Sequence, residues 1–163
     1  LGDRRSSVFP APPRPLLEAA SWQQACRIRN SLEGKKISQQ TWAIVSKIRE
    51  IDEALRRELA RAAWVREVHP EVSFGAWRGS PMAHAKKKPA GRSERLALVS
   101  RHFGDSAFLE VRRRHLKRDV ADDDILDAFA ALWTAERILR GESSRLPEIP
   151  SHDRLGLPMQ ILY

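Results

Sequence analysis

The sequence holds one cysteine, Cys26, among 163 residues, so no internal disulfide can form and nothing points to an oxidising compartment. No stretch approaches the ~18 consecutive apolar residues that a bilayer-spanning helix needs, which excludes an integral membrane protein of the helical kind. Ten prolines and eight glycines are too few for a low-complexity, disordered chain. The opening residues lack the charged-then-apolar pattern of a secretory signal. Missing too are a phosphate-cradling glycine-rich loop, a Gly-x-Ser-x-Gly nucleophile elbow and any Cys/His spacing suited to zinc. A cytoplasmic protein is the expectation.

What the chain does have is 42% apolar and 31% charged residues, a balance that suits one globular domain over residues 1–163. Lys and Arg number 29 against 21 Asp and Glu, a net charge of +8 that favours polyanions such as nucleic acid. Residues 1–15, LGDRRSSVFPAPPRP, form an extended proline-rich arm, because Pro10, Pro12, Pro13 and Pro15 push their predecessors out of the helical region. Pro15 suits the first turn of a helix running to Glu33, stopped by Gly34. Ser38 caps a second helix, whose stripe of Trp42, Val45, Ile48, Ile51 (or Asp52), Leu55 and Leu59 steps by threes and fours. Val65 and Val68 predict a short strand ended by Pro70, followed by irregular chain over 73–90. Helices are expected over Arg92–Phe103, Ser106–His115 and Asp122–Leu139, the last burying Ile125, Leu126, Phe129, Leu132 and Trp133. A proline-rich connection leads to a terminal strand over 158–163. Trp42, Trp64, Trp77 and Trp133 fall mostly on core-like positions. The architecture read this way is α/β and helix-rich, with too few strands to complete a sheet.

Three groups of residues could carry chemistry. Glu67 lies on the expected strand, while Asp124 and Asp127 are three apart and share one face of the last helix. Converging carboxylates suit hard divalent cations, which can activate water and stabilise a leaving oxygen. Asp122, Asp123 and Asp124 equally serve as first-turn acids that offset the helix dipole, although Asp127 borders the buried stripe. His69 at the strand end suits a structural hydrogen bond better than a base or metal ligand, and Glu71 suits a cap on the next segment. Lys86, Lys87, Lys88, Arg92 and Arg95 form one basic cluster, and Arg112, Arg113, Arg114, Lys117 and Arg118 another. Both suit phosphate contacts, which hold a nucleic acid without reading its sequence.

Six blocks in order, SSVFPAPPR (6–14), KISQQTWAIVSKIREID (36–52), VREVHPEVSF (65–74), GRSERL (91–96), ADDDILDAFAALWTA (121–135) and GLPMQILY (156–163), resemble the DUF429 family of uncharacterised, predicted nucleases. The segment DILDAFAALWTA also resembles the last helix of Holliday-junction resolvases. The resemblance implies an RNase H-like fold, a mixed sheet flanked by helices, with acidic ligands for Mg²⁺ or Mn²⁺. It implies that Glu67 is the middle-strand acid and Asp124 and Asp127 the final-helix acids, with Asp123 as the alternative to Asp124. The family's opening strand hairpin, with its Gly-x-Asp, has no counterpart here. The chain, which opens on Leu1, is therefore expected to match the C-terminal two-thirds of a member. The function so implied is metal-dependent nucleic-acid hydrolysis, inactive if the first strand is essential. The alternatives are a non-catalytic nucleic-acid-binding module and a homo-oligomer paired through an exposed sheet edge.

Overall fold

A computed structural model describes residues 11–163, so most of the proline-rich arm lies outside the described residues. The contacts divide the chain into two compact units that meet in sequence between Val65 and Arg66.

In the first unit a short 3-10 turn, Arg14–Glu18, precedes α1 (Trp22–Glu33) and α2 (Gln39–Arg57), and a second 3-10 turn covers Leu59–Ala63. The single helix expected from Pro15 is broken because the Ser21 hydroxyl accepts the Gln24 amide and restarts the helix there. Gly34, at φ 66°, ends α1 as expected. Ser38 caps α2 by accepting the Thr41 amide. Leu16, Leu17, Ala25, Ile37 and Val45 form the core. Two polar ties hold it: Trp22 Nε1 donates to the Ile37 carbonyl, and Arg49 donates to the carbonyls of Leu17 and Ala19. The expected α2 stripe fades along the helix, for Val45 is buried whereas Leu59 is exposed, and of the two alternatives between them Ile51 is exposed and Asp52 half-buried. Trp64 is 71% exposed, against the core position expected of it.

The second unit holds α3 (Pro70–Arg78), α4 (Pro89–Phe103), α5 (Ala107–Arg114), α6 (Asp122–Leu139), β1 (Arg145–His152) and β2 (Pro158–Leu162). Helix α3 replaces the irregular chain expected after 73. Proline fixes a helical φ and lacks the N–H that a first turn leaves idle, so Pro70 starts a helix rather than merely ending a strand. The expected strand before it reduces to one parallel bridge, Val68 to Leu162, with the Leu162 amide donating to the Glu67 carbonyl. β1 and β2 form the two-stranded antiparallel sheet, and β1 occupies the expected proline-rich connection. Its prolines are tolerated because Pro147 and Pro150 lie between Leu146 and Ser151, where the ladder is irregular. The result is a helix-rich α/β chain.

Phe74, Val99, Phe108, Ile125, Leu126, Phe129 and Ala130 make the second core. Trp77 stacks on Phe74 and on Trp133, so both are packing residues. Leu132, expected inside, is 48% exposed. The Thr134 hydroxyl donates to Ser73, pinning α3 against α6. That pairing sets the surroundings of the acidic end of α6. No described helix is long and apolar enough to cross a membrane.

Candidate functional site

The acids of the first turns of α6 do not act as one set. Asp124 is exposed, and its Oδ2 accepts the Ala121 amide at 3.0 Å, which closes the start of the helix. Asp122 binds Arg92 at 2.9 Å and Arg112 at 3.1 Å. Asp123 and Asp127, four residues apart and so on one face, both meet the loop between α3 and α4. Lys86 Nζ donates to Asp127 Oδ2 at 2.7 Å and lies 3.7 Å from Asp123 Oδ2. Lys87 Nζ donates to Asp123 Oδ2 at 2.7 Å. Of the expected final-helix pair, Asp127 stands in the cluster while Asp123 takes the place given to Asp124.

The loop that carries these lysines is held from beneath. Glu94 accepts the amides of Ala83 and His84, and the Lys88 amide donates to the Ala85 carbonyl. Gly91 lies so close beneath the loop that an added Cβ would stand 2.1 Å from the Ala85 oxygen, so glycine is required there by space. Arg95 donates to the carbonyls of His84 and Gly91 and grips Glu71 with two nitrogens, at 2.7–2.8 Å from Nη2 to the two carboxylate oxygens. Arg95 has no exposed area, which removes it from the phosphate-binding surface the sequence suggested. Its charge is spent internally, on a planar bidentate pair.

Electrostatics set Asp127 apart. Burial pushes its carboxyl above the ordinary 3.8, outweighing the help of Lys86, and the nearby charges of Glu71 and Asp123 push the same way. Its Oδ1 is buried and has no hydrogen-bond partner among the described residues. Lys86 is also partly desolvated, yet the acids around it raise its pKa, so it stays an ammonium. Lys87 and Lys86 together hold Asp123 below its ordinary value despite its own partial burial.

Glu71 is therefore the α3 acid that Asp127 senses, a residue the sequence reading had set aside as a cap. The signal was available: a proline at a helix start followed at once by a first-turn acid. Glu67 sits just before α3, where burial holds its carboxyl above the ordinary value against the opposing charge of His69. No group of three or more acidic, histidine or cysteine side chains placed to hold a metal occurs among the described residues, so the triad of Glu67, Asp124 and Asp127 is not assembled.

Beside the pair lies an open cleft of about 470 Å³, lined among others by Lys86, Lys87, Lys88, Arg92, Asp122 and Asp123. Its cations are interleaved with its acids, Lys86 and Lys87 meeting Asp123 and Arg92 meeting Asp122, so a phosphate bound by the cations would lie close to carboxylates.

A family model described as a protein of unknown function, DUF429, matches residues 1–152. No curated protein and no solved structure matches the chain.

Proposed function

The chain belongs to the DUF429 family, and from the site it carries we propose a nucleic-acid phosphodiesterase dependent on Mg²⁺ or Mn²⁺, cytoplasmic and built on an RNase H-like plan. One observation carries the reading. Asp127, a half-buried carboxylate whose Oδ1 has no partner among the described residues, shares Lys86 with Asp123, and both Lys86 and Asp123 line the basic cleft. The antiparallel β1–β2 ladder next to the parallel bridge at Val68 has the mixed character such a plan uses.

The donor set fits a hard cation. Mg²⁺ is commonly held by one or two carboxylates, with waters and substrate phosphates completing its shell, so Asp123 and Asp127 suffice without a third protein ligand. A cation bound there would polarise a phosphoryl oxygen and make bound water a better nucleophile. The chain's own residues do the rest. Lys87, Lys88 and Arg92 bind the phosphate backbone by charge and so place it without regard to base sequence. Glu71 stays locked to Arg95, adding negative charge beside Asp127 while keeping the loop in position.

The test is cleavage of labelled single-stranded, duplex and four-way DNA and RNA in Mn²⁺ by this chain and by Asp127→Asn. Cleavage by the parent and a loss of about a hundredfold or more in the variant, with unchanged nucleic-acid affinity, is the expected result. Equal activity in both proteins would overturn the assignment of Asp127.

A second reading is a non-catalytic nucleic-acid-binding module. The ion pairs from Lys86 and Lys87 favour it, since they already answer the charges of Asp123 and Asp127. Nucleic-acid binding that falls steeply with salt, ignores Mn²⁺ and leaves every substrate intact would establish it.

A further inference from the structure

We infer that Lys86 is the resident counter-ion of the Asp123–Asp127 pair, and that a phosphate polyanion entering the lysine-lined cleft draws it off and opens the pair to a divalent cation. The inference rests on the reading of that pair as a metal site. It makes cation binding conditional on nucleic acid.

Lys86 is placed, not wandering. Its backbone belongs to the loop that Glu94 and Arg95 hold by hydrogen bonds and that Gly91 alone leaves room for. From that base Nζ reaches Asp127 Oδ2 at 2.7 Å and Asp123 Oδ2 at 3.7 Å. An ammonium there uses carboxylate lone pairs that a divalent cation would also use, and two cations on one carboxylate oxygen repel each other. One must leave.

The same side chain lines the cleft with Lys87, Lys88 and Arg92. A lysine stem has four flexible carbons, so its ammonium can exchange a carboxylate for a phosphate while its backbone stays put. The exchange is not a loss for Lys86, because a phosphate oxygen is as good an acceptor of its charge-assisted hydrogen bond. For Asp127 it is a gain only if another cation follows. One ammonium on Oδ2 leaves Oδ1 without a partner among the described residues, whereas a divalent ion can use both oxygens. Linkage then requires reciprocity: nucleic acid tightens the cation, and the cation tightens nucleic acid by the same factor.

The experiment is calorimetric titration of Mn²⁺ into the whole chain and into Lys86→Met, Lys86→Gln, Lys117→Met and Asp127→Asn. The parent and Lys86→Met titrations are repeated with a saturating single-stranded oligonucleotide, its own Mn²⁺ binding subtracted. Both Lys86 variants are expected to bind Mn²⁺ about tenfold more tightly than the parent, with Lys117→Met, outside the cleft, like the parent. The oligonucleotide should tighten Mn²⁺ binding by the parent by a similar factor and leave Lys86→Met unchanged. Equal affinity in parent and Lys86 variants, abolished in Asp127→Asn, would overturn the counter-ion role and keep the metal site. An oligonucleotide effect of the same size in Lys86→Met would likewise overturn it. Absence of saturable Mn²⁺ binding in every protein, the Lys86 variants included, would remove the metal site and the inference together.

Discussion

Arg95 and Glu71 show how far a charge can be removed from solvent when its partner is fixed. Both are buried, and the guanidinium also satisfies two backbone carbonyls. Such a pair contributes little net stability compared with a well-packed apolar substitute, but removing one member strands the other. Arg95→Met is expected to cost about 3–5 kcal/mol in urea unfolding, and the double change with Glu71→Gln to recover a good part of it. A double variant no better than Arg95→Met would show that the carbonyl bonds, not the ion pair, carry the cost. Asp127 poses the opposite case. It binds its proton more tightly folded than unfolded, because burial outweighs Lys86. A group of that kind adds stability below its unfolded pKa and loses it as pH rises through the folded one. Ionised Asp127 thus weakens the fold at neutral pH, and Asp127→Asn should raise the melting temperature at about pH 7 while matching the parent near pH 3. A lower melting temperature at neutral pH would mean that the Lys86 pair dominates.

The start of α6 separates two jobs that its acids share in sequence. Asp124 closes the helix on the Ala121 amide, while Asp123 and Asp127 turn to the lysine loop. Asp124→Ala should lose about 1 kcal/mol of stability, from one hydrogen bond and a favourable dipole contact, and leave Mn²⁺ affinity as it was. A variant that kept its stability and lost Mn²⁺ would return Asp124 to the metal site. This helix was legible from Asp122 to Leu139, since a cluster of acids before an apolar stripe has few other meanings. The lysine pairs were not, because they join residues about forty apart through a loop with no periodicity. Arg95 was misread as surface although the pattern held a clue. Gly91, Arg95 and Val99 step by four along α4, and all three are buried. The residues expected inside that helix are Leu96, Val99 and Phe103, of which Val99 is fully buried, while Arg95 falls in sequence within the basic run that opens the helix. Glu71 is hidden in sequence for a similar reason: after Val65 and Val68, Pro70 marks the end of a strand as readily as the first residue of a helix.

Across the whole chain a net charge of +8 overstates what is available to a polyanion at the cleft. Lys86, Lys87 and Arg92 each face a carboxylate, and Arg112 is drawn inward to Asp122 and the Val120 carbonyl. Binding a phosphate there exchanges internal ion pairs for external ones, which lowers affinity without lowering the number of counter-ions released. Salt dependence counts the phosphates neutralised and is insensitive to the internal exchange. If Lys86, Lys87, Lys88 and Arg92 are the contacts, log K for a single strand should fall against log salt with a slope of about −3, from roughly −0.7 per phosphate. Lys88→Met should remove about 0.7 of that slope. Arg113→Met and Lys117→Met, which belong to the second basic cluster and do not line the cleft, should leave it unchanged. Fluorescence anisotropy of a labelled oligonucleotide over a range of KCl concentrations measures all three. Equal reductions from the two clusters would mean that the strand is held diffusely by the basic surface, and the cleft would lose its claim to position a phosphodiester against Asp127.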